Sequence, residues 1–258
     1  MKTLIEIYNY RTMISSLIKR DLRGRYKGSV LGFAWTFLNP LLQLMVYTVV
    51  FSKIMRAGIE DYYLFLFVAL IPWIAFSASF TGGASCIISQ KEMVKKIYFP
   101  REVLPIAHVT CQFVNMLLSF IVVFAVLFFS GKGININAII YLPVVVLAEY
   151  LLAISIAMIS SAITVYLRDL EHIFIIVGLA WQFMSPVMYS VDMVPEDMQS
   201  FFMMNPMTPI LIAYRDILYY KQPPQLQTLL HGYVFSVILL IVGFCVFHIL
   251  NKHFVEEM

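Results

Sequence analysis

The stretch VLPIAHVTCQFVNMLLSFIVVFAVLFF, residues 103–129, contains no Asp, Glu, Lys or Arg. A helix needs about 20 mostly apolar residues to cross the roughly 30 Å hydrocarbon core of a bilayer. The stretch is long enough to do so, and it therefore predicts a transmembrane helix.

The composition of the whole chain agrees with a membrane protein. Hydrophobic residues make up 61% of the sequence, charged residues 13%, and the mean hydropathy is +0.84. A soluble domain carries roughly 25% charged residues. These values exclude soluble enzymes and nucleic-acid-binding proteins, and they predict an all-α integral membrane protein with no nucleic-acid partner. Cys86, Cys111 and Cys245 lie in apolar stretches and predict no disulfide framework.

Five further intervals between charges are long enough to span a membrane, which gives six predicted transmembrane helices. Only one of the six contains a carboxylate, Glu149. The other predicted spans are Val30–Ser52, Tyr62–Ile88, Ile139–Leu167, Ile173–Val191 and Thr228–Leu250. An even number of spans places both termini on the same side of the membrane.

The distribution of basic residues predicts the orientation. Most of the 18 Lys and Arg residues precede the first span or follow the second, fourth and sixth spans. Cytoplasmic loops carry such an excess of Lys and Arg, so both termini are expected in the cytoplasm. The first residues carry charge throughout and show no cleavable signal peptide.

The N-terminal residues Leu4–Arg23 alternate at helical spacing between an apolar face and a basic face. This pattern predicts an amphipathic helix in the membrane interface. Two interpretations remain open: an orienting anchor, or a basic collar that meets a partner or an anionic headgroup. The basic collar consists of Arg20, Arg23, Arg25 and Lys27. Gly24, Gly28 and Gly32 are spaced four apart and predict close helix packing.

The inner segment, residues 89–101 (SQKEMVKKIYFPR), combines charge with aromatic residues on the cytoplasmic side. It is interpreted as a short helix and docking surface, with a solvated loop as the alternative. Arg168 and Asp169, in the next inner loop, are predicted to be a lesser contact. The predicted contact residues of the inner segment are Lys91, Glu92, Lys95, Lys96, Tyr98, Phe99 and Arg101.

The outer segment, residues 192–227, contains two apolar runs that are too short to span a membrane. Its prolines predict two re-entrant half-helices that form an outer gate, which is tolerated only where protein or a cavity covers the backbone. The alternative is an amphipathic hairpin resting on the outer surface. The predicted gate residues are Pro195, Phe201, Phe202, Met203, Met204, Pro206 and Pro209.

The sequence contains no recognisable catalytic or metal-binding motif. No phosphate-binding G-x-x-x-x-G-K-[ST] loop occurs, and the histidines show no metal-ligand spacing. Asp169 and Glu171 resemble a D-x-E metal site only weakly. Glu149 and His108, both in predicted spans, are open to a functional or a structural interpretation. No catalytic residue, metal or cofactor is therefore predicted in this chain.

One transmembrane domain, residues 1–258, is the simplest organisation. It divides into the interface helix and basic collar (residues 1–29), spans one to five (30–191), the outer segment (192–227), and the last span with its tail (228–258).

Short motifs along nearly the whole chain resemble the permease subunits of type-2 ATP-binding-cassette exporters of cell-surface polysaccharides. Each motif is weak alone, but they follow in order on the same six-span topology. They are residues 25–29 (RYKGS), Leu31-Gly32, Trp35, Asn39-Pro40, 98–101 (YFPR), 166–170 (YLRDL), 185–189 (SPVMY), 205–209 (NPMTP) and Tyr214-Arg215.

The resemblance implies a homodimeric permease in the bacterial cytoplasmic membrane, working with two copies of a separate ATPase that binds ATP and magnesium. The cargo would be a polysaccharide on an undecaprenyl diphosphate carrier, such as an O-antigen or a teichoic acid, with the basic collar holding the diphosphate. Aromatic conduit walls would grip the sugars weakly. The candidates for these walls are Phe33, Trp35, Phe37, Tyr47, Trp73 and Phe76.

Two alternatives to this function are a drug or lipid exporter of the same fold, and a membrane enzyme acting on polyprenyl phosphates through Asp169 and Glu171.

Overall fold

The computed structural model describes residues 2–26, 28–56 and 58–258. This part of the chain is helical throughout, with connecting turns and no strand. Its α-helices are α1 (Lys2–Asn9), α2 (Arg11–Tyr26), α3 (Trp35–Thr48), α4 (Tyr62–Ser85), α5 (Lys91–Lys96), α6 (Val103–Phe129), α7 (Ile136–Ile139), α8 (Leu142–Tyr166), α9 (Leu170–Phe183), α10 (Glu196–Met204), α11 (Met207–Leu218), α12 (Leu226–Leu250) and α13 (Phe254–Glu257).

Five segments are long and apolar enough to cross a membrane. They are Gly32–Ile54, Tyr62–Ser85, Val103–Phe129, Ile136–Tyr166 and Leu226–His253. The first continues α3 into a π-helix at Val49–Ile54.

The predicted fifth span differs from the expectation. Helix α9 has only 14 residues and ends at Phe183, whereas the sequence predicted a span up to Val191. At 1.5 Å per residue, α9 is about 21 Å long, which is less than the thickness of a bilayer core. Pro186 explains the early end, because a residue that precedes proline avoids the helical conformation.

Helix α4 forms the centre of the molecule and packs against α3, α6, α8, α9 and α11. It is apolar around its whole circumference, and most of its residues are buried. A helix without a polar face is expected in such a central position.

Small residues allow the closest helix contacts. A Cβ atom added at Gly83 would lie 2.9 Å from the Cβ of Ala157 on α8, and one at Gly243 would lie 2.8 Å from the Ser155 carbonyl oxygen. By contrast, an added Cβ at Gly24, Gly28 or Gly32 meets no atom of the described chain within 4 Å. The packing role predicted for those three glycines is therefore wrong within the described chain; Gly28 and Gly32 instead have positive φ angles in the turn before α3.

The helices meet at two opposite ends of the bundle. At one end, Lys132 pairs with Asp61 at 2.6 Å, and Asn135 Nδ2 donates a hydrogen bond to the Lys221 carbonyl at 2.8 Å. The Asp61 carboxylate raises the pKa of Lys132 from its usual value. We call this end, which also holds α10, the outer end.

At the other end, the inner end, segments from both halves of the chain meet. The Tyr166 hydroxyl donates to the Leu250 carbonyl at 2.7 Å, and the Tyr10 hydroxyl donates to the Tyr98 carbonyl at 3.4 Å. Helices α2 and α13 both lie here, so the N-terminal and C-terminal segments share one end of the bundle.

Helix α11 lies within the bundle. All but one of its residues are buried, and it packs against α4, α8 and α12. The alternative of a hairpin resting on the surface is therefore wrong for this half of the outer segment.

Candidate functional site

The inner segment presents α5 and the residues that follow it at the inner end. Lys91, Glu92, Lys95 and Lys96 are all exposed, and Lys96 pairs with Glu92 at 2.8 Å. Tyr98 is 91% exposed, so its ring is available to a partner.

Phe99 does not belong to this surface. Only 5% of its area is exposed, and it packs in the hydrophobic core. The backbone is extended at Ile97, and successive side chains of an extended chain point to opposite sides. Tyr98 therefore faces outward and Phe99 anchors the segment, which corrects the prediction that both rings dock.

Arg101 also has an internal role. Its guanidinium donates to the carbonyl and the side-chain oxygen of Asn251, the latter at 2.7 Å, and lies 5.8 Å from the Phe254 ring centre. Burial lowers the pKa of Arg101 from its usual value. Arg101 thus ties the inner segment to the end of α12, instead of projecting as a docking residue.

Arg168 and Asp169 lie exposed in the turn between α8 and α9, also at the inner end. The backbone carbonyl of Asp169 accepts hydrogen bonds from the first turn of α9. The side chains remain accessible on the same end of the bundle as α5.

The basic collar is described only in part. Arg20 donates to Gln90 Oε1 at 3.2 Å, and this bond fixes α2 to the turn before α5. Arg20 also pairs with its neighbour Asp21 at 3.1 Å. Arg23 is exposed. Lys27 and the side chain of Arg25 lie outside the described residues. Leu17 is buried, so α2 packs part of its apolar face against the bundle. The predicted position of this helix in the membrane interface stays a prediction.

The predicted conduit aromatics divide into two groups. Phe33 and Trp35 are exposed, whereas Phe37 and Tyr47 are half-buried; the Phe33 and Phe37 rings pack edge to face at 5.4 Å. All four belong to the first span. They present aromatic surface at the periphery of the single chain.

Trp73 and Phe76 are core residues. Both are buried on α4, and the Phe76 ring packs against Trp181 of α9 at 5.1 Å. Their prediction as conduit walls is wrong, because the interior of the bundle is packed around them.

The two helices of the outer segment differ in exposure: no residue of α10 is fully buried, whereas nearly all residues of α11 are. Phe201 and Met204 of α10 are exposed, whereas Phe202 and Met203 are half-buried. With Val177, Trp181 and neighbouring residues of α9, α10 lines an apolar cavity of about 390 Å³. Of the predicted prolines, Pro195 is exposed, Pro206 is half-buried and Pro209 is buried.

Asn205 joins the two outer helices to α9. Its Oδ1 accepts hydrogen bonds from Trp181 Nε1 at 2.9 Å and from the Met207 amide at 3.0 Å, while its Nδ2 donates to Ser185 Oγ at 2.8 Å. One carboxamide thus fixes the elbow between α10 and α11. The sequence placed Asn205 in a motif but gave no role for it.

Arg215, also not predicted as a site residue, joins α11 to the segment that follows α9 and to α4. Its guanidinium donates to the carbonyls of Val187 and Tyr189 at 2.8 and 2.9 Å, and it lies 3.6 Å from the centre of the Phe65 ring. The chain after α9 is thereby fixed to α11 and α4.

Glu149 and His108 both make internal contacts. Glu149 is fully buried, and its Oε2 accepts a 2.6 Å hydrogen bond from the Tyr214 hydroxyl. His108 Nε2 lies 3.2 Å from the Ala78 carbonyl oxygen and 3.3 Å from Gln112 Nε2. These contacts favour the structural interpretation of both residues.

The geometry describes a multi-pass helical membrane protein with a charged inner face and a two-helix segment at the outer end. The chain belongs to the ABC-2 type transporter family, which it matches over residues 12–219.

Its relatives resemble it from end to end. It is 35% identical over 255 residues to the O-antigen export system permease protein RfbA of Myxococcus xanthus, covering 98% of each chain. It is 31% identical to a protein of the same name from Klebsiella pneumoniae, covering 96% of this chain and 97% of the relative. The polysialic acid transport protein KpsM of Escherichia coli is 20% identical, over 92% and 93% of the two chains.

Proposed function

We propose that this chain is the transmembrane permease subunit of an ATP-driven exporter of a cell-surface polysaccharide of the O-antigen class. The observation that carries the proposal is the similarity to O-antigen export permeases along essentially the whole chain. The chain is a transport subunit, not an enzyme, and its ATPase partner is a separate chain of the same transporter.

The proposed topology has six crossings, with α9 and residues 184–190 together forming the fifth. Helix α9 begins just after Tyr166, whose hydroxyl is bonded at the inner end. Residues 184–190 reach the outer start of α4, where the Tyr62 hydroxyl donates to the Met188 carbonyl at 2.7 Å. These contacts at its two ends support a fifth crossing over residues 170–188, although only part of the stretch is helical.

We assign the inner end to the cytoplasm of a bacterial cell and the bundle to the cytoplasmic membrane. The concentration of Lys and Arg at this end supports the assignment. The ATPase works on cytoplasmic ATP and magnesium, so its docking site belongs on the same side. Both termini are then cytoplasmic.

The exposed part of the inner segment is the proposed ATPase contact. Tyr98 and the charged residues of α5 present an aromatic ring, three lysines and one glutamate to a partner, with Arg168 and Asp169 as a second contact. Phe99 is buried in the core, and Arg101 is bonded to Asn251. A movement of α5 caused by the ATPase would therefore be transmitted to the helix bundle through these two residues.

The polysaccharide path is proposed to lie between two copies of the chain. A wide path through one copy would have to displace the packed aromatic core around Trp73, Phe76 and Trp181. The first span, in contrast, is little buried in the single chain and carries Phe33 and Trp35 at its surface. In a homodimer this aromatic surface would face the conduit.

The outer segment is proposed to be a re-entrant gate. Helix α11 is buried in the bundle and is therefore covered by protein, as re-entrant backbone requires. Exposed Phe201 and Met204 on α10 supply the apolar surface that would close the mouth between two copies.

The carrier diphosphate is proposed to meet the basic collar. Arginine binds phosphate through paired N–H donors, and Arg20 and Arg23 lie on α2 at the inner end. The carrier lipid would remain in the membrane while its headgroup is held at this level.

A deletion strain tests the function. Removing the gene should eliminate the glycan from the cell surface and cause lipid-linked glycan to accumulate on the cytoplasmic side, and a plasmid copy should restore display. Normal surface display in the deletion strain would overturn the proposal.

A further inference from the structure

A cavity lined by both polar and apolar side chains lies in the first half of the bundle, apart from the collar and the outer gate. It occupies about 320 Å³ between the start of α3 and the middle of α4 and α6. Ligand sites in proteins begin at about this size. Its polar lining residues are Thr36, Asn39, Gln112, Asn115 and Ser119.

Polar side chains in this position require partners. The lining residues of α4 and α6 lie roughly seven to ten residues from the ends of those helices, which at 1.5 Å per residue is about 10–15 Å of helix. The Asn115 side chain is buried at both its Nδ2 and its Oδ1, and neither atom has a hydrogen-bond partner in the described chain. Uncompensated polar groups at membrane depth are costly, so a ligand or water is expected to satisfy them.

The uncharged carboxamides and hydroxyls of the lining favour an uncharged ligand that both donates and accepts hydrogen bonds. Carboxamides both donate and accept hydrogen bonds, and hydroxyls do the same, which matches the hydroxyl groups of a sugar. The residues that the structure places around the cavity include no charged side chain, so a phosphate or ammonium group would be buried there without a counter-ion. A lipid tail would leave the carboxamides unsatisfied.

The mouth of the cavity adds an aromatic surface. Trp35 lines the cavity and is partly exposed, while its Nε1 is held by Ser29 Oγ at 3.2 Å. The indole ring is thus held in place at the opening of the cavity. Asn39, another exposed lining residue, lies at the same opening. Aromatic rings pack against the apolar faces of sugars while the polar edges remain hydrogen-bonded.

We propose that this cavity is a subsite for one or two uncharged sugar units, bound by Asn115, Gln112 and Asn39 and packed against Trp35. The inference rests on the proposed polysaccharide export and adds a position in each chain where the neutral part of the glycan is held. It is separate from the collar, which takes the charged headgroup. A bound sugar would contact α3, α4 and α6 together.

The test uses the permease with its ATPase in lipid nanodiscs. Saturation-transfer NMR measures weak binding of maltose and mannobiose as neutral probes, with glucose 1-phosphate as a charged comparison. The variant is Asn115→Leu, which keeps the volume and removes both polar atoms. Thr110→Val is the matched control, because Thr110 lies on the same helix but faces Tyr150, at 2.7 Å, outside the cavity.

The expected result is saturable binding of a neutral sugar that weakens about fivefold in Asn115→Leu, the effect of losing one or two hydrogen bonds, and is unchanged in Thr110→Val. Absence of saturable binding to the unaltered complex would overturn the subsite, as would equal binding in Asn115→Leu. Glucose 1-phosphate binding with the same dependence on Asn115 would overturn its neutral selectivity. If Asn115→Leu does not yield a folded complex, Asn39→Leu, at an exposed residue of the same lining, replaces it under the same criteria.

Failure of the subsite is distinguishable from failure of the proposed function. If the deletion strain loses its surface glycan and the Asn115 variant binds neutral sugars normally, export stands and the subsite is rejected. If the deletion strain keeps its surface glycan, the proposed function itself is rejected.

Discussion

The Tyr214 hydroxyl donates a 2.6 Å hydrogen bond to the Glu149 carboxylate inside the bundle, and both side chains are fully buried. This bond joins α8 to α11, the buried half of the outer segment. The other carboxylate oxygen has no partner in the described chain. This buried bond therefore adds to the contacts of Asn205 and Arg215 that hold α11 in the bundle.

Removing that contact should loosen α11. We expect Tyr214→Phe to destabilise the protein by about 1–2 kcal/mol, since a buried acceptor loses its donor. Glu149→Gln should cost less, because a carboxamide oxygen still accepts the bond. The measurement is the unfolding temperature of the purified complex, with Tyr220→Phe as the control at an exposed tyrosine. An unchanged unfolding temperature in Tyr214→Phe would show that the bond contributes nothing.

The neighbouring rings of the inner segment should respond differently. Tyr98→Ala removes an exposed ring and should leave the permease folded while uncoupling ATP hydrolysis from export. Phe99→Ala removes a buried ring and should destabilise the protein by about 3–5 kcal/mol. Unfolding temperature and glycan-stimulated ATPase activity, measured side by side, separate the two effects. Undiminished export by Tyr98→Ala would count against the docking role.

The collar prediction concerns the lipid-linked substrate. Arg23→Gln should raise the substrate concentration that gives half-maximal ATPase stimulation by about fivefold, because a cation near anionic headgroups contributes about 1 kcal/mol. The effect should shrink as salt is added. Lys53→Gln, an exposed cation near the other end of the first span, is the control. If the half-maximal concentration stays the same, the collar only orients the protein.

The outer gate is tested by ion leakage. An apolar constriction blocks ions by excluding water, so Phe201→Ser should increase ion flux several-fold through the substrate-free reconstituted transporter. Phe202→Ser should do so as well, with an added loss of packing against Tyr189, whose ring centre lies 6.0 Å away. ATP binding by the partner should not change. Flux equal to that of the unaltered protein would show that these rings are not the seal; Met193→Ser serves as an exposed control.

The long apolar helices were predictable from the sequence, and α6 has the predicted bounds, Val103–Phe129. A charge-free stretch of 27 residues is long enough to form such a helix across a bilayer. Helix α9 was overestimated because Pro186 ends the helix within an apolar run, where hydropathy does not change.

The site was less predictable, since its residues depend on distant partners. Helix α4 is apolar on every side, so its pattern did not show that Trp73 and Phe76 face other helices and not a conduit. The bond between Arg101 and Asn251 joins positions 150 residues apart. The sequence placed both Tyr98 and Phe99 at the docking surface, and only the packing of the folded chain shows that Phe99 is buried while Tyr98 is exposed.

The most direct test of polysaccharide export is transport in proteoliposomes. The purified permease and its ATPase partner would be reconstituted with a lipid-linked O-antigen glycan, and glycan appearing on the opposite side would be measured with an added glycosidase. We expect translocation that requires ATP hydrolysis and both chains. Translocation without the ATPase, or none above protein-free liposomes when both chains and ATP are present, would contradict it.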